Sequence, residues 1–149
     1  MSIPYAVDTN VLLRLSNSAQ PQHSLITEAM RRLENRDVEF CFTPQNLGEF
    51  WNVSTRPVDR NGLGLSVAET RFHIGSIERS MRLLPENEQV YHVWLDLPLR
   101  HQVRGIQVHD AHLAAVLEVH QVGHLLTLNA PDFKRFTKIL PVHPEDIQR

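Results

Sequence analysis

Short apolar runs alternate with helical patterns along the whole chain, and that alternation constrains the fold more than any other feature of the sequence. Strand-like runs start at Ile3 and end at the carboxylate Asp8, run from Val38 to Thr43, and recur briefly at Arg82-Leu83-Leu84-Pro85, at His124 to Thr127 and at Ile139 to Val142. Between them lie helical patterns. One begins at Thr9; a second carries Leu25, Ile26, Ala29, Met30 and Leu33 at helical spacing up to Glu34; a third opens on Pro44, which suits a first helical turn because its missing N–H would be unpaired there. On that third helix Leu47, Phe50, Trp51 and Ser54 form the expected core stripe. Further helices are expected over about 66–81, about 86–100 and from His109 to Gln121, with Gly123 as the stop of the last, and Asp132 to Phe136 reads as a helical turn.

Strands and helices in this order favour an α/β fold, a three-layer α/β/α sandwich with a mainly parallel central sheet. The 149 residues suit a single domain over 1–149, with a helical pair inserted at about 66–100 and a short C-terminal tail, disorder being confined to the ends. Arg56 to Gly64, with Pro57, Asn61, Gly62 and Gly64, must be a loop.

Composition narrows the function by exclusion. No basic segment followed by an apolar stretch opens the chain, and no run of about 18 apolar residues exists to span a bilayer, so a cytoplasmic protein without a membrane partner is expected. The lone Cys41 cannot pair within the chain and reads as a small buried strand residue. A net charge of −2 argues against a broad basic footprint for nucleic acid, although a substrate held by a few local cations and by metal ions is compatible with it.

The carboxylates carry the chemistry. Asp8 stands at the tip of the first strand, and in an open α/β sheet the crevice beyond the carboxyl ends of the strands is where ligands bind. The same residue is equally suited to cap the helix that starts at Thr9. Asp110 heads a helix and shares a face with Leu113, Ala114 and Leu117, where a charge is costly to bury without a partner. Its simpler role would be to stabilise the helix N-terminus. Glu49 lies off the stripe of its own helix and reads in isolation as a solvated glutamate. Asp132 and Asn129 follow the His124 strand, in the turn Thr127-Leu128-Asn129-Ala130-Pro131-Asp132-Phe133, where both also suit capping or turn roles. If the sheet is parallel, these acids can meet at one edge, and converging acids call for a hard divalent cation with oxygen ligands, such as Mg²⁺ or Mn²⁺.

Four segments resemble the PIN-domain ribonucleases, and most closely the VapC-type toxins of prokaryotic toxin–antitoxin pairs. They are Val7-Asp8-Thr9-Asn10-Val11-Leu12-Leu13, Asn46-Leu47-Gly48-Glu49-Phe50, His109-Asp110-Ala111-His112-Leu113-Ala114-Ala115 and Leu125-Leu126-Thr127-Leu128-Asn129-Ala130-Pro131-Asp132-Phe133, in the family's order. The resemblance implies an endoribonuclease whose acids hold Mg²⁺ or Mn²⁺ while a metal-activated water cleaves an RNA phosphodiester. It carries over Asp8, Glu49 and Asp110 as catalytic and metal-binding residues. Asn129 occupies a place where many members have Asp; Asp132, three residues on, could supply the fourth carboxylate instead, and the resemblance leaves open which of the two fills that position. Thr9, Asn10, Thr127 and Asn129 are expected to position ligands or phosphate. A homodimer and a cognate antitoxin protein are the implied partners, besides RNA.

Two other readings compete. A phosphatase with an aspartyl nucleophile at Asp8 needs a second acid two residues on, where this chain has Asn10. A catalytically degenerate binding module of the same fold takes its support from Asn129. His109 and His112, or His120 to His124, could suggest zinc, but no third ligand is evident and hydrogen-bonded histidines are expected instead. Arg56, Arg60, Arg100, Arg104, Lys134, Arg135 and Lys138 are local cations that read as solvated surface, each capable of touching phosphate. Phe50, Trp51, Tyr91 and Trp94 read as core.

Overall fold

The computed structural model describes residues 1–148 of the chain. Five strands form one sheet: β1 (Ile3–Val7), β2 (Val38–Phe42), β3 (Arg82–Leu83), β4 (His124–Leu126) and β5 (Leu140–Val142). Their order across the sheet is β3-β2-β1-β4-β5, and every pairing is parallel. β1 is therefore central, with Ala6 opposite Cys41 on one side and Leu125 on the other. Six α-helices accompany the sheet: α1 (Thr9–Leu15), α2 (His23–Glu34), α3 (Pro44–Thr55), α4 (Val67–Ser80), α5 (Glu88–His101) and α6 (Val108–Val119).

The two-residue period of a strand divides the core into two layers. Ala6, Cys41 and Leu125 point to one face, where they pack with Val90 and Leu97 of α5 and with Ala111 and Leu113 to Leu117 of α6. Val7, Phe40, Phe42 and Leu126 point to the other, against Val11 and Leu12 of α1, Ile26 and Leu33 of α2, Phe50 of α3 and Ile74 and Ile77 of α4. With both faces covered, the fold is the three-layer α/β/α sandwich, and the strands are apolar on both sides as parallel strands must be.

Several local expectations need correcting. The stretch 66–100 is not a helical pair: α4 packs against the α3 side and α5 against the α6 side, with β3 joining the sheet between them. On α3 the buried stripe is Asn46, Phe50 and Ser54, while Trp51 is 36% exposed. The helix is rotated because the Asn46 amide is drawn inward, its Oδ1 accepting from Thr43 N and Thr43 Oγ1 and its Nδ2 donating to Thr9 Oγ1 at 3.1 Å. α6 ends at Val119, two residues short of the expected Gln121, and its stop is not Gly123 but Gln121, which takes the left-handed conformation at φ 58°. Val122 N then bonds to Leu117 O and Gln121 N to Glu118 O, the paired bonds of a Schellman motif. The turn after β4 is a 3-10 turn over Ala130–Phe133, starting earlier than expected because Pro131 fits its first positions.

The C-terminal tail is docked rather than loose. A 3-10 turn (Pro144–Asp146) leads to Ile147, buried in the α1–α4 layer, whose carbonyl accepts from Arg32 Nη1 at 3.0 Å. Arg149, the last residue of the expected domain, lies outside the described residues. Among those described, no helix is long and apolar enough to cross a membrane.

Candidate active site

All strands point the same way, so their carboxyl ends open on one rim of the sheet. Asp8 stands there at the end of β1, between the neighbouring ends of β2 and β4. Its backbone N–H donates to Leu126 O at 2.9 Å, which continues the β1–β4 ladder one residue past the strand. Its carboxylate serves two purposes at once. Oδ1 accepts from Thr9 N at 2.8 Å, capping α1, and Oδ2 accepts from Thr127 Oγ1 at 2.8 Å and more weakly from Asn10 Nδ2 at 3.4 Å.

The polar residues around Asp8 are occupied with one another. Thr127 is fully buried, and its hydroxyl donates to Asp8 while accepting from Asn129 N at 3.0 Å. Asn10 Oδ1 accepts from Leu128 N at 3.2 Å, tying the start of α1 to the turn after β4. Thr9 Oγ1 accepts from Asn46. Thr9, Asn10 and Thr127, expected to position ligand or phosphate, thus hold the Asp8 carboxylate itself. Asn129 accepts at its carbonyl from Asp132 N and starts the turn that carries that acid.

Electrostatics shows which acids are gathered. Burial and the charges of Asp8, Asp132 and Glu49 push Asp110 up to about 6, against the smaller opposing effect of His109. This happens although Asp110 lies in the first turn of α6, where the helix dipole stabilises an anion by about 0.3–1 kcal/mol. Burial also raises Asp8, as does the Asp132 charge, while the bonds from Thr127, Thr9 and Asn10 work the other way. Glu49 is largely exposed as a residue, yet partial burial of its carboxyl and then the Asp8 charge raise it too; the Gln45 amide, His109 and His112 oppose the shift. Asp8, Glu49 and Asp132, drawn from two elements and a turn, therefore all lie within reach of Asp110's charge, and Asp8 within reach of Glu49 and Asp132 as well.

Two residues that spacing did not single out help to bring them together. Gln45, one turn before Glu49, donates through Nε2 to His109 O at 3.0 Å and so ties α3 to the first turn of α6. Asn46 completes a capping box with Thr43 and reaches Thr9. The Thr43-x-x-Asn46 pattern at the head of a helix was a usable signal for the second; nothing in the sequence marks the first. His112, for its part, bonds Glu86 at 2.8 Å.

The donor set suits a hard cation: four carboxylates and no thiolate, with the Asp110 and Asp132 carboxylates accepting no hydrogen bond among the described residues. Among those residues no three His, Cys, Asp or Glu side chains are arranged to close on one ion. Mg²⁺ commonly keeps several waters and takes only one or two carboxylates from the protein. The residues fit a water-rich Mg²⁺ or Mn²⁺ site, not a closed protein cage.

A parallel three-layer sandwich with acids assembled at the carboxyl rim from β1, α3, α6 and the turn after β4 defines a class of α/β protein built around an acidic centre. The chain belongs to the PIN domain family, whose model matches residues 5–139. No curated protein matches it in sequence. Solved structures share its fold at low identity. VapBC2 from Rickettsia felis, bound to a DNA fragment from its promoter, has a chain 13% identical with a TM-score of 0.68, covering 95% of this chain and 98% of that one. VapBC-1 from nontypeable Haemophilus influenzae is 17% identical, with a TM-score of 0.68 and coverage of 97% and 100%. VapC20 from Mycobacterium tuberculosis, a sarcin-ricin loop cleaving toxin, is 16% identical, with a TM-score of 0.61 and coverage of 81% and 86%.

Proposed function

We propose that this chain is a Mg²⁺- or Mn²⁺-dependent endoribonuclease that cleaves RNA phosphodiester bonds and acts as the toxin of a toxin–antitoxin pair. The observation that carries the reading is the convergence of Asp8, Glu49 and Asp132 on Asp110 at one rim of a PIN fold. The toxin role is supported by structural neighbours described as VapBC, FitAB and sarcin-ricin loop cleaving proteins.

Bound at this rim, the cation would lower the pKa of a coordinated water towards neutrality and offset charge on the phosphate. Asp8 and Asp110 are the residues to hold it. Asp8 is fixed in place by Thr127 and Thr9, while the Asp110 carboxylate, free of protein donors, is ionised above about pH 6. Glu49 and Asp132 complete the acidic set, as ligands or by orienting water, and Asp132 provides the charge that Asn129 lacks. A cognate antitoxin is the protein partner. A homodimer is part of the same reading.

A degenerate module that binds without cutting is the second reading, favoured by Asn129 and by the spread of the acids. Cleavage assays separate the two. Asp8→Asn and Asp110→Asn should each abolish Mn²⁺-dependent cutting of RNA by an active wild type while unfolding cooperatively as it does. Wild-type rates in both variants would remove the site from the reaction, and a wild type that neither cuts RNA nor binds Mn²⁺ would leave the inert module.

A further inference from the structure

We propose that the cavity between α5 and α6 lined by Glu86, Asn87, Val90, Tyr91, Trp94 and His112 is a nucleobase subsite, receiving one unstacked base of the RNA strand next to the cleaved phosphate. The proposal rests on the nuclease reading for the identity of the strand, and on its own geometry for the base.

The cavity has a volume of about 250 Å³, and one of its lining residues, His112, stands two residues after Asp110 on α6. His109 and His112 are three apart on α6 and so share a face, and Gln45, one turn before Glu49 on α3, donates to His109 O at 3.0 Å, which brings the Glu49 end of the rim to that part of α6. His112 is thus a common wall between the rim and the cavity. An RNA strand whose phosphate lies over the acids has a base within reach of the other side of that wall.

The lining matches a base better than a phosphate or an aliphatic side chain. Val90 is a buried apolar floor. Trp94 and Tyr91, one turn apart on α5, have ring centroids 6.3 Å apart and supply faces for stacking. Protein recognition of single-stranded RNA uses aromatic or histidine stacking combined with hydrogen bonds to the base edge. Here the edge groups are Glu86 and Asn87. One Glu86 oxygen is bonded to His112 Nε2 at 2.8 Å, leaving the other to accept from a base N–H. Asn87 Oδ1 accepts from Val90 N at 3.0 Å to cap α5, leaving its NH₂ to donate. An acceptor beside a donor complements the hydrogen-bonding edge of a base, and the Glu86 charge repels a phosphate.

The site is also built to stay in place. The segment that carries Glu86 is pinned to α6 by His120 Nε2 against Pro85 O at 2.7 Å and by the fully buried Leu84. Trp94 meets the His112 ring edge-on, at 6.1 Å and 62°.

The test uses the intact chain carrying Asp110→Asn, so that cleavage does not consume the probe. Fluorescently labelled single-stranded oligoribonucleotides of the four homopolymer sequences are titrated, by anisotropy and by quenching of Trp94 in a Trp51→Phe background. We expect saturable quenching by at least one sequence and an affinity about tenfold weaker in Trp94→Ala, the scale of one lost stacked base. Glu86→Gln should change the ranking of the four sequences without unfolding the protein. Unchanged affinity in Trp94→Ala together with an unchanged ranking in Glu86→Gln overturns the subsite. So does a Trp94→Ala variant that alters sedimentation but not RNA affinity, since the cavity would then be a protein contact. Mn²⁺-dependent cutting by the wild type is measured alongside: cutting with a silent Trp94 sinks the subsite alone, and quenching without cutting sinks the nuclease reading alone.

Discussion

Thr127 Oγ1 donates to Asp8 Oδ2 at 2.8 Å, joining residues 119 apart in sequence. The bond aligns the end of β4 with the end of β1 and directs one oxygen of the most deeply placed acid. Thr127 is fully buried, so no water can replace it as a donor without rearrangement. Thr127→Val keeps the shape and removes the donor, and it should cost about 1–3 kcal/mol of stability in urea unfolding, the penalty for leaving a buried acceptor unpaired. Thr127→Ser should stay close to the wild type, and equal losses in both variants would show that the hydroxyl does not matter.

Asp110 makes stability depend on pH in a definite direction. Its pKa in the folded chain, about 6, lies above the ordinary 3.8, so the folded state binds the proton more tightly than the unfolded one. Its contribution to stability therefore falls as pH rises from about 4 through about 6, and the deficit persists above that. Asp110→Asn should raise the melting temperature at pH 7. Discounted for solvent screening of a half-exposed group, the gain is about 1 kcal/mol, and it should vanish near pH 4. A lower melting temperature at pH 7 would mean that the carboxylate is stabilising where it stands.

The same proton competes with a cation. Mn²⁺ affinity measured by calorimetry should be flat at and above pH 7 and fall below pH 6 by about one log unit per pH unit, as for a ligand that must lose one proton to bind. Affinity unchanged down to pH 5 would exclude Asp110 from the metal's ligands.

The framework of the site was legible where local chemistry and fold agree. The apolar run ending at Asp8, the helix headed by Asp110 and the alternation that makes the sheet parallel all follow from spacing alone, and parallel strands place their ends on one rim. The residues that hold the acids were not legible in the same way. Gln45 is an unremarkable polar residue on a helix until α6 is packed beside it, because its partner is a backbone carbonyl 64 residues away. Trp51 was expected inside because its spacing puts it on one stripe with Leu47, Phe50 and Ser54; the stripe is turned towards Asn46 instead, where three hydrogen bonds to Thr43 and Thr9 satisfy the amide within the core.

Asn46 supplies a further prediction. It bonds both Thr43 and Thr9, and Thr9 N in turn bonds Asp8. Asn46→Ala should destabilise the fold by about 1–3 kcal/mol and should also lower the cleavage rate, since the backbone that orients Asp8 loses its support. A variant that loses stability but cuts RNA at the full rate would separate the two roles.

The most direct measurement is anomalous scattering from a Mn²⁺-soaked crystal of the wild-type protein. The account expects a peak at the carboxyl rim of the sheet, with oxygens of Asp8 and Asp110 as its protein ligands, directly or through water. A peak elsewhere on the molecule, or none at this rim at saturating Mn²⁺ and pH 7, would contradict it.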